Sequence, residues 1–321
     1  MRLDLAGAWS DVAPFAVEER GVVINAAIDL RTRVVLRAGQ PQYRLRSDDL
    51  DDEVSAASID ELAADGSLAL LKAAIRRNEF GGCDLTTSAE APPGSGLGTS
   101  GALSVALTAA IASAQRRTLT PVEIAHEAWQ LETIDAAVAG GQQDQYAAAL
   151  GGFQHLVFDH GTTTATLLTI DAGFAAELAA HTVICYTGRS RFSGSTISRV
   201  MAAYQARDPV VVNALRQLAG IGEMMLPALA AGDLGRVGEL IAINWKAQQQ
   251  LAPGMRTAAM ARLEAAMMQA GAIGGKAAGA GAGGTMFFIV PGDTAEARAA
   301  AEREGVHLIP TRWADRGVSV D

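Results

Sequence analysis

The sequence predicts an α+β fold organised in two domains, and three observations carry that expectation. β-Branched runs concentrate in the first half. A block rich in Ala, Leu and Met at helical spacing fills residues 196 to 271. Two glycine-rich stretches, 92–101 and 271–284, punctuate the chain. With 321 residues the chain can form one large domain or two ordinary ones, and the division is placed between 1–172 and 173–321.

The elements follow in order. Residues 2 to 6 and 22 to 37 read as strands, because Val22-Val23-Ile24 and Arg33-Val34-Val35-Leu36 are β-branched and bounded by Gly and Asp. Between them Trp9-Ser10-Asp11-Val12-Ala13-Pro14 reads as a polar loop. The acidic run from Ser47 to Glu53 reads as a solvated loop or edge. A helix is expected from about 59 to 79 and an extended segment from 83 to 89. After the first glycine stretch, an apolar helix runs from Thr99 to about Ala114. The next helix has a defined start, with Thr120 as N-cap, Pro121 at the first helical position and Glu123 closing a capping box. It runs to about Val138 and stops at Gly140-Gly141. Strands are expected at 153–158, 163–170 and 181–186. Three or four helices then occupy 196 to 271, broken near Asp208-Pro209, Gly232-Asp233 and Pro253-Gly254. The second glycine stretch leads into a strand from Thr285 to Val290, a helix over 294–304 and a short strand at 307–309.

Bulk properties narrow the function. A net charge of -9 argues against a protein that coats nucleic acid or an anionic membrane. The longest weakly polar run, Ala102 to Ala114, is 13 residues and too short to span a bilayer. Met1-Arg2-Leu3-Asp4-Leu5 carries charge at once and has no apolar signal core, so the expected location is the cytoplasm. Two cysteines, Cys83 and Cys185, do not make a disulfide framework and read as buried, inert packing. The five histidines show no metal-ligand spacing.

The first glycine loop carries the chemistry. A phosphate needs several backbone N–H groups converging on one point with no side chains in the way, and a helix N-terminus adds a favourable dipole. Pro92-Pro93-Gly94-Ser95-Gly96-Leu97-Gly98-Thr99-Ser100-Gly101 ends on a helix, and Thr99 and Ser100 supply hydroxyls for phosphate or Mg²⁺. Gly96-Leu-Gly98-Thr-Ser-Gly101 also spells the dinucleotide fingerprint, but that fingerprint needs a strand after its helix, and here a second capped helix follows. The only Gly-Lys, Gly275-Lys276, lacks the rest of the P-loop pattern. Gly279-Ala-Gly281-Ala-Gly283-Gly284 leads into a strand, so close backbone approach to a ligand or to the first loop explains it better than a nucleotide fingerprint.

Three separated segments together resemble the GHMP kinase superfamily: Arg2-Leu-Asp-Leu-Ala-Gly-Ala-Trp-Ser-Asp11, Pro92 to Gly101, and Gly274-Gly-Lys276 through Gly284. Their order covers nearly the whole chain. Three further stretches are similar to the subgroup of D-glycero-D-manno-heptose 7-phosphate kinases and the kinase domain of L-fucokinase. They are Gly141-Gln-Gln-Asp144-Gln-Tyr through Phe153, Tyr186-Thr-Gly-Arg-Ser-Arg191-Phe-Ser193, and Asn244-Trp-Lys246 with Leu251-Ala-Pro-Gly254. The Gln-Asp-Gln-Tyr segment favours the heptose kinases.

The resemblance implies a two-domain fold with ATP bound between the domains and an acceptor that is a small sugar or sugar phosphate. It implies that Asp144 takes the proton from the sugar hydroxyl and that Arg2 stabilises the resulting oxyanion and the transferring phosphoryl group. The loop from Pro93 to Gly101 would hold the nucleotide. Ser100 and Glu132 would hold Mg²⁺, and Asp11 with Trp9 and Gly141 would meet the acceptor. Arg189 and Arg191, with Ser193, would hold a substrate phosphate. Each residue also has a plain reading. Asp144 could be a helix N-cap, Glu132 a surface residue with Glu127 as its rival, and Arg2, Arg189 and Arg191 surface cations. Lys276 reads as structural. Two departures from the subgroup stand out. Ala8 stands where glycine is usual, and Ala282 interrupts the glycine run, which requires negative φ at both. The implied reaction is phosphorylation of the anomeric hydroxyl of a heptose 7-phosphate. The alternatives are a fucokinase-like or other free-sugar kinase and, in another class, a non-catalytic sugar and ATP sensor.

Overall fold

A computed structural model describes residues 1–188 and 193–321. Among these residues, three four-stranded sheets and their covering helices make an α+β structure. The first sheet has β1 (Arg2–Ala6), β2 (Gly21–Ala27), β7 (Phe153–Asp159) and β8 (Thr162–Leu168), all antiparallel in that order. A short helix α1 (Phe15–Glu18) sits in the loop between β1 and β2. The second sheet is mixed, in the order β3 (Thr32–Ala38), β6 (Cys83–Ala89), β4 (Tyr43–Ser47) and β5 (Asp52–Ala56), with β4 parallel to β6. The third is antiparallel, in the order β10 (Gly274–Ala277), β11 (Thr285–Ile289), β9 (Thr182–Tyr186) and β12 (His307–Leu308).

The helices follow local signals. α3 (Thr99–Ala114) starts at Gly98, and α4 (Pro121–Gln130) carries the full capping box between Thr120 and Glu123. α5 (Gln143–Leu150) and α6 (Ala172–Ala180) flank the β7–β8 hairpin in sequence. α7 (Ser193–Gln205), α8 (Pro209–Ala230), α9 (Leu234–Gln249) and α10 (Ala258–Gln269) break at the three expected places, with Asp208, Asp233 and Thr257 as side-chain caps. α11 (Ala295–Arg303) precedes β12.

The helices α1, α5 and α6 and the strand β10 are not expected from the sequence, the strand expected over 22–37 divides into β2 and β3, and three further differences have local causes. The expected helix over 59–79 reduces to a short 3₁₀ turn at Ile59–Glu61 and α2 (Ala69–Arg77), because Gly66 and Leu68 adopt φ of +58° and +54°. The acidic run holds the turn of a β4–β5 hairpin in which Tyr43, Leu45 and Ser47 face inward and Arg44 and Arg46 outward. The helix expected to reach Val138 ends as α4 at Gln130, and a π-helical turn, Leu131–Asp135, takes over.

The largest apolar cluster joins Leu3, Leu5 and Ile24 of the first sheet to Leu240 and Trp245 of α9 and Phe287 of β11. Burial of that surface, at about 25 cal/mol per Å² of apolar area, is the main force holding the glycine loops and β1 together. Both cysteines are buried thiols, and burial pushes them up to about 11 and about 12. Among the described residues no helix is long and apolar enough to cross a membrane.

Candidate active site

The site is built on β1, the first glycine loop, the start of α5 and the π-helical turn. Gly94, Gly96 and Gly98 take φ of +66°, +78° and +80°, conformations that L side chains rarely adopt, and Gly98 is the N-cap of α3. The first turn of α3 therefore opens its N–H groups towards the loop. The second glycine stretch supports it from behind. A Cβ on Gly279 would stand 2.7 Å from the Gly96 carbonyl, one on Gly284 would stand 2.7 Å from the Ser95 carbonyl, and the Thr285 N–H donates to that Ser95 carbonyl at 2.8 Å. Ser95 and Leu97 are fully buried, so they anchor the loop and leave its backbone to the ligand.

Arg2 lies at the centre. Its Nε donates to Asp144 Oδ1 at 2.7 Å, and Nη1 donates to the carbonyls of Gly96 and Ala278, each at 2.6 Å. The Arg2 N–H donates to the Leu97 carbonyl at 3.0 Å. Arg2 thus ties β1, both glycine stretches and α5 together. Asp144 is the second residue of α5, whose N-cap is Gln142, so its carboxylate is not a cap and faces Arg2 instead. Its side chain keeps 28 % exposure and is open to solvent. Gly98 and Gly101 make room for it: Cβ atoms there would stand 3.2 Å from Asp144 Cγ and 2.5 Å from Asp144 Cβ.

Glu132 sits in the π-helical turn, a local geometry that recurs at functional sites. It is buried, its Oε1 accepts from the Ser100 hydroxyl, and its Oε2 accepts from Ser104 Oγ at 3.3 Å and Gln145 Nε2 at 2.7 Å. Burial pushes its pKa up to about 7, against the pull of those donors. Its rival Glu127 is occupied by Arg117 at 2.6 Å. The buried Glu132 carboxylate has hydroxyl and amide neighbours, and among the described residues none of its hydrogen bonds comes from a cation. With Ser100 it offers the hard oxygens that suit Mg²⁺, which is held by one or two carboxylates plus substrate phosphates. Among the described residues no cluster of three His, Cys, Asp or Glu side chains competes for a metal.

Asp11 is buried beside the start of α5. Its Oδ1 accepts from the Trp9 N–H and its Oδ2 from the Gln143 N–H, each at 3.1 Å. Burial is the main cause that pushes its pKa up to about 6, with Asp144 and Asp4 adding repulsion. Gly141 packs directly on the Asp11 carboxylate, with no space for a Cβ. Trp9 has φ of +80°, an uncommon conformation for a bulky residue, and its indole is buried in the core. It supplies Asp11 with an N–H donor. Arg189 and Arg191 lie outside the described residues, as does the side chain of Ser193.

Both alanine departures lie near this site. Ala8 is outside the left-handed region, although its neighbours Gly7 and Trp9 are in it. Ala282 has φ of +60°, contrary to the expectation of negative φ, and its N–H donates to the Met255 carbonyl at 2.7 Å. That conformation costs about 1–2 kcal/mol for an L residue.

Sequence reasoning missed Gln145, Ser104 and Asn244. Gln145 adjoins Asp144, and Ser104 lies one helical turn from Ser100; that spacing could have found it. Asn244 accepts from the Gly7 N–H at 2.9 Å, and no local pattern signals so distant a contact.

Comparison with known proteins follows the same lines. Residues 66–152 match the model of the GHMP kinase N-terminal domain and residues 225–307 that of the GHMP kinase C-terminal domain. The chain is 30 % identical over 298 residues to a D-glycero-α-D-manno-heptose 7-phosphate kinase of Campylobacter jejuni, covering 90 % of this chain and 87 % of that one. It is 25 % identical to the L-fucokinase/L-fucose-1-P guanylyltransferase of Bacteroides fragilis, over 93 % of this chain but 35 % of that longer protein. A solved structure of a D-glycero-D-manno-heptose 1-phosphate kinase from Bacteroides thetaiotaomicron superposes with a TM-score of 0.79 at 25 % identity, covering 99 % of this chain and 95 % of that one.

Proposed function

The chain belongs to the GHMP kinase family, and on that premise we propose that it transfers the γ-phosphoryl group of ATP to the anomeric hydroxyl of a heptose 7-phosphate. It is a sugar or sugar-phosphate kinase, and kinases of this family use ATP as co-substrate. The observation that carries the kinase reading is the Arg2 Nε–Asp144 Oδ1 contact of 2.7 Å, set against Gly98 and Gly101 at the head of α3, and the similarity to the Campylobacter jejuni kinase supports the heptose phosphate acceptor.

Phosphoryl transfer asks little covalent chemistry of a protein. It asks for alignment, charge neutralisation and a base for the acceptor proton. In our reading the N–H groups at the head of α3 and the loop from Pro93 to Gly101 hold the phosphates. Asp144 accepts the proton of the attacking hydroxyl, and Arg2 stabilises the charge that develops beside it. Glu132 and Ser100 would hold Mg²⁺, which when bound neutralises phosphate charge. Asp11, shaped by Trp9 and Gly141, accepts hydrogen bonds from acceptor hydroxyls. Arg189, Arg191 and Ser193 are assigned to the acceptor phosphate. We assign residues 1–172 and 173–321 as the two domains, with the nucleotide between them, and the cytoplasm as the setting. The fucokinase-like reading rests on the Bacteroides fragilis similarity and concerns a free sugar as acceptor.

A coupled ADP-release assay with Mg-ATP, run against heptose phosphates, other sugar phosphates and free sugars, tests the acceptor. Turnover of a heptose 7-phosphate well above free fucose is the expected result. Good turnover of fucose with none of any seven-carbon sugar phosphate would overturn the heptose assignment. ATP binding without turnover on any acceptor would favour a sensor.

The Asp11 carboxyl adds a pH signature. Its folded-state pKa is raised to about 6, so the free enzyme carries it protonated below that pH and ionised above it. A protonated Asp11 accepts fewer hydrogen bonds, so kcat/KM for the acceptor should fall as pH drops through about 6, a step below that of the Glu132 carboxyl at about 7. A flat profile between pH 5 and pH 7, in the presence of normal turnover, would remove Asp11 from acceptor binding.

A further inference from the structure

We propose that Lys276 is a positioning residue for phosphoryl transfer: it fixes β1 through Asp4 and thereby sets the approach of Arg2 to Asp144. The inference rests on the reading that Arg2 and Asp144 act on the acceptor. Lys276 itself touches no substrate, since both it and Asp4 are fully buried.

Four observations point the same way. First, Lys276 Nζ donates to the Asp4 carboxylate and also, at 3.0 Å, to the Asp4 backbone carbonyl, so it grips the strand as well as the side chain. Second, the β1–β2 register shifts between Asp4 and Ala6, so the sheet ladder alone does not pin β1 there. Third, Asp4 and Arg2 are two residues apart in a strand and share one face. Two residues after Lys276, the Ala278 carbonyl accepts from Arg2 Nη1 at 2.6 Å, so the same short stretch holds both side chains. Fourth, the ion pair is a poor stability device, because Asp4 Oδ1 is buried with no hydrogen-bond partner among the described residues. A half-satisfied buried pair is often replaceable by apolar residues without loss of stability.

The contacts continue on both sides of this pair. Asn244 of α9 accepts from the Gly7 N–H at 2.9 Å, where β1 turns towards Asp11. One helical turn later, Gln248 Nε2 donates to the Gly279 carbonyl at 2.9 Å, behind the phosphate loop. Buried polar contacts from α9 and β10 therefore hold the acceptor turn, the catalytic arginine and the phosphate loop in one frame, and Lys276 is the charged member of that set.

The Asp4→Leu/Lys276→Met double variant separates positioning from packing. A packing role predicts that the apolar pair restores both stability and rate. Positioning predicts a melting temperature at or above the parent, KM for ATP within about threefold, and kcat down roughly 10- to 100-fold, the effect of a displacement near 1 Å. Lys276→Arg, which keeps a cation with donors, should recover part of the loss. A crystal structure of the double variant gives a readout independent of the acceptor: Arg2 Nε should stand beyond hydrogen-bond distance of Asp144. Wild-type kcat, or an Arg2–Asp144 contact still at 2.7 Å, would overturn the proposal. Should the double variant not fold, Asp4→Asn keeps the side-chain shape and one acceptor; a kcat reduced about tenfold supports positioning, and an unchanged kcat overturns it. An inactive parent across the whole acceptor panel would count against the kinase reading alone, because the contact measurement still decides the role of Lys276.

Discussion

Asp144→Asn should lower kcat by about 10³-fold, the middle of the range of general-base contributions, while ATP still binds within about threefold. Asparagine matches aspartate in shape, and its amide oxygen can still accept from Arg2 Nε. Arg2 also keeps its two carbonyl partners, Gly96 and Ala278, so the loop that faces the nucleotide should not collapse. What the substitution removes is the capacity to take a proton. The melting temperature should move by a few degrees at most, because the Asp144 side chain is 28 % exposed and the ion pair is screened on that side. Asp144→Glu should be nearly as inactive for a different reason. The carboxyl carbon already lies 3.2 Å from where a Cβ on Gly98 would stand, so one more methylene would press on the phosphate loop. Kinetics with the best acceptor of the panel and calorimetric ATP titration check both variants. Asp144→Asn with kcat within tenfold of the parent would rule Asp144 out as the base.

Much of this site is legible in the sequence, and the reason is chemical. A phosphate loop must expose backbone, and only glycine at positive φ does so freely, so Gly94, Gly96 and Gly98 announce themselves in sequence. The capping box at Thr120 and the breaks near Asp208-Pro209, Gly232-Asp233 and Pro253-Gly254 are equally local signals of where helices start and stop, whereas the cap at Thr257 emerges only from the structure. Arg2, Asp144 and Glu132 carry no such local signal. Each taken alone reads as surface charge or cap, and their assembly came only through resemblance over the whole chain. The contacts of Asn244 with Gly7 and of Lys276 with Asp4 join residues more than 200 positions apart, and no periodicity encodes such pairs. The β4–β5 hairpin was missed because its outward arginines and its acidic turn mask an alternation of Tyr43, Leu45 and Ser47 that is plain once the inward face is known. The positive φ at Leu68, which cuts the expected helix over 59–79, breaks the usual rule for a branched side chain and is not readable from propensity.

Gly101→Ala should reduce kcat by about 10²-fold with a smaller effect on stability. Gly101 lies in the first turn of α3 where that helix crosses the start of α5, and it has ordinary helical backbone, so alanine is not refused on conformational grounds. A Cβ there would stand 2.5 Å from Asp144 Cβ, with Asp144 C at 3.2 Å and Gln145 N at 3.3 Å. Two of these atoms are backbone, so the added methyl cannot be absorbed by one rotamer change. Either α5 recedes, taking Asp144 from Arg2 and Gln145 from Glu132, or α3 shifts with the phosphate loop at its head. Both routes displace reacting groups by about 1 Å, which costs about 10²-fold in rate. Overpacking costs about 1–3 kcal/mol, and the better helix propensity of alanine offsets up to about 1 kcal/mol of it, so the variant should remain folded. Gly220→Ala is the matched control: it also exchanges glycine for alanine within a helix, in α8, but among the described residues nothing lies within 4 Å of its added Cβ. That variant should keep wild-type kcat and gain a little stability. Equal rates for the two would mean that α3 and α5 can part without moving the base, and the glycine at 101 would then serve helix packing alone.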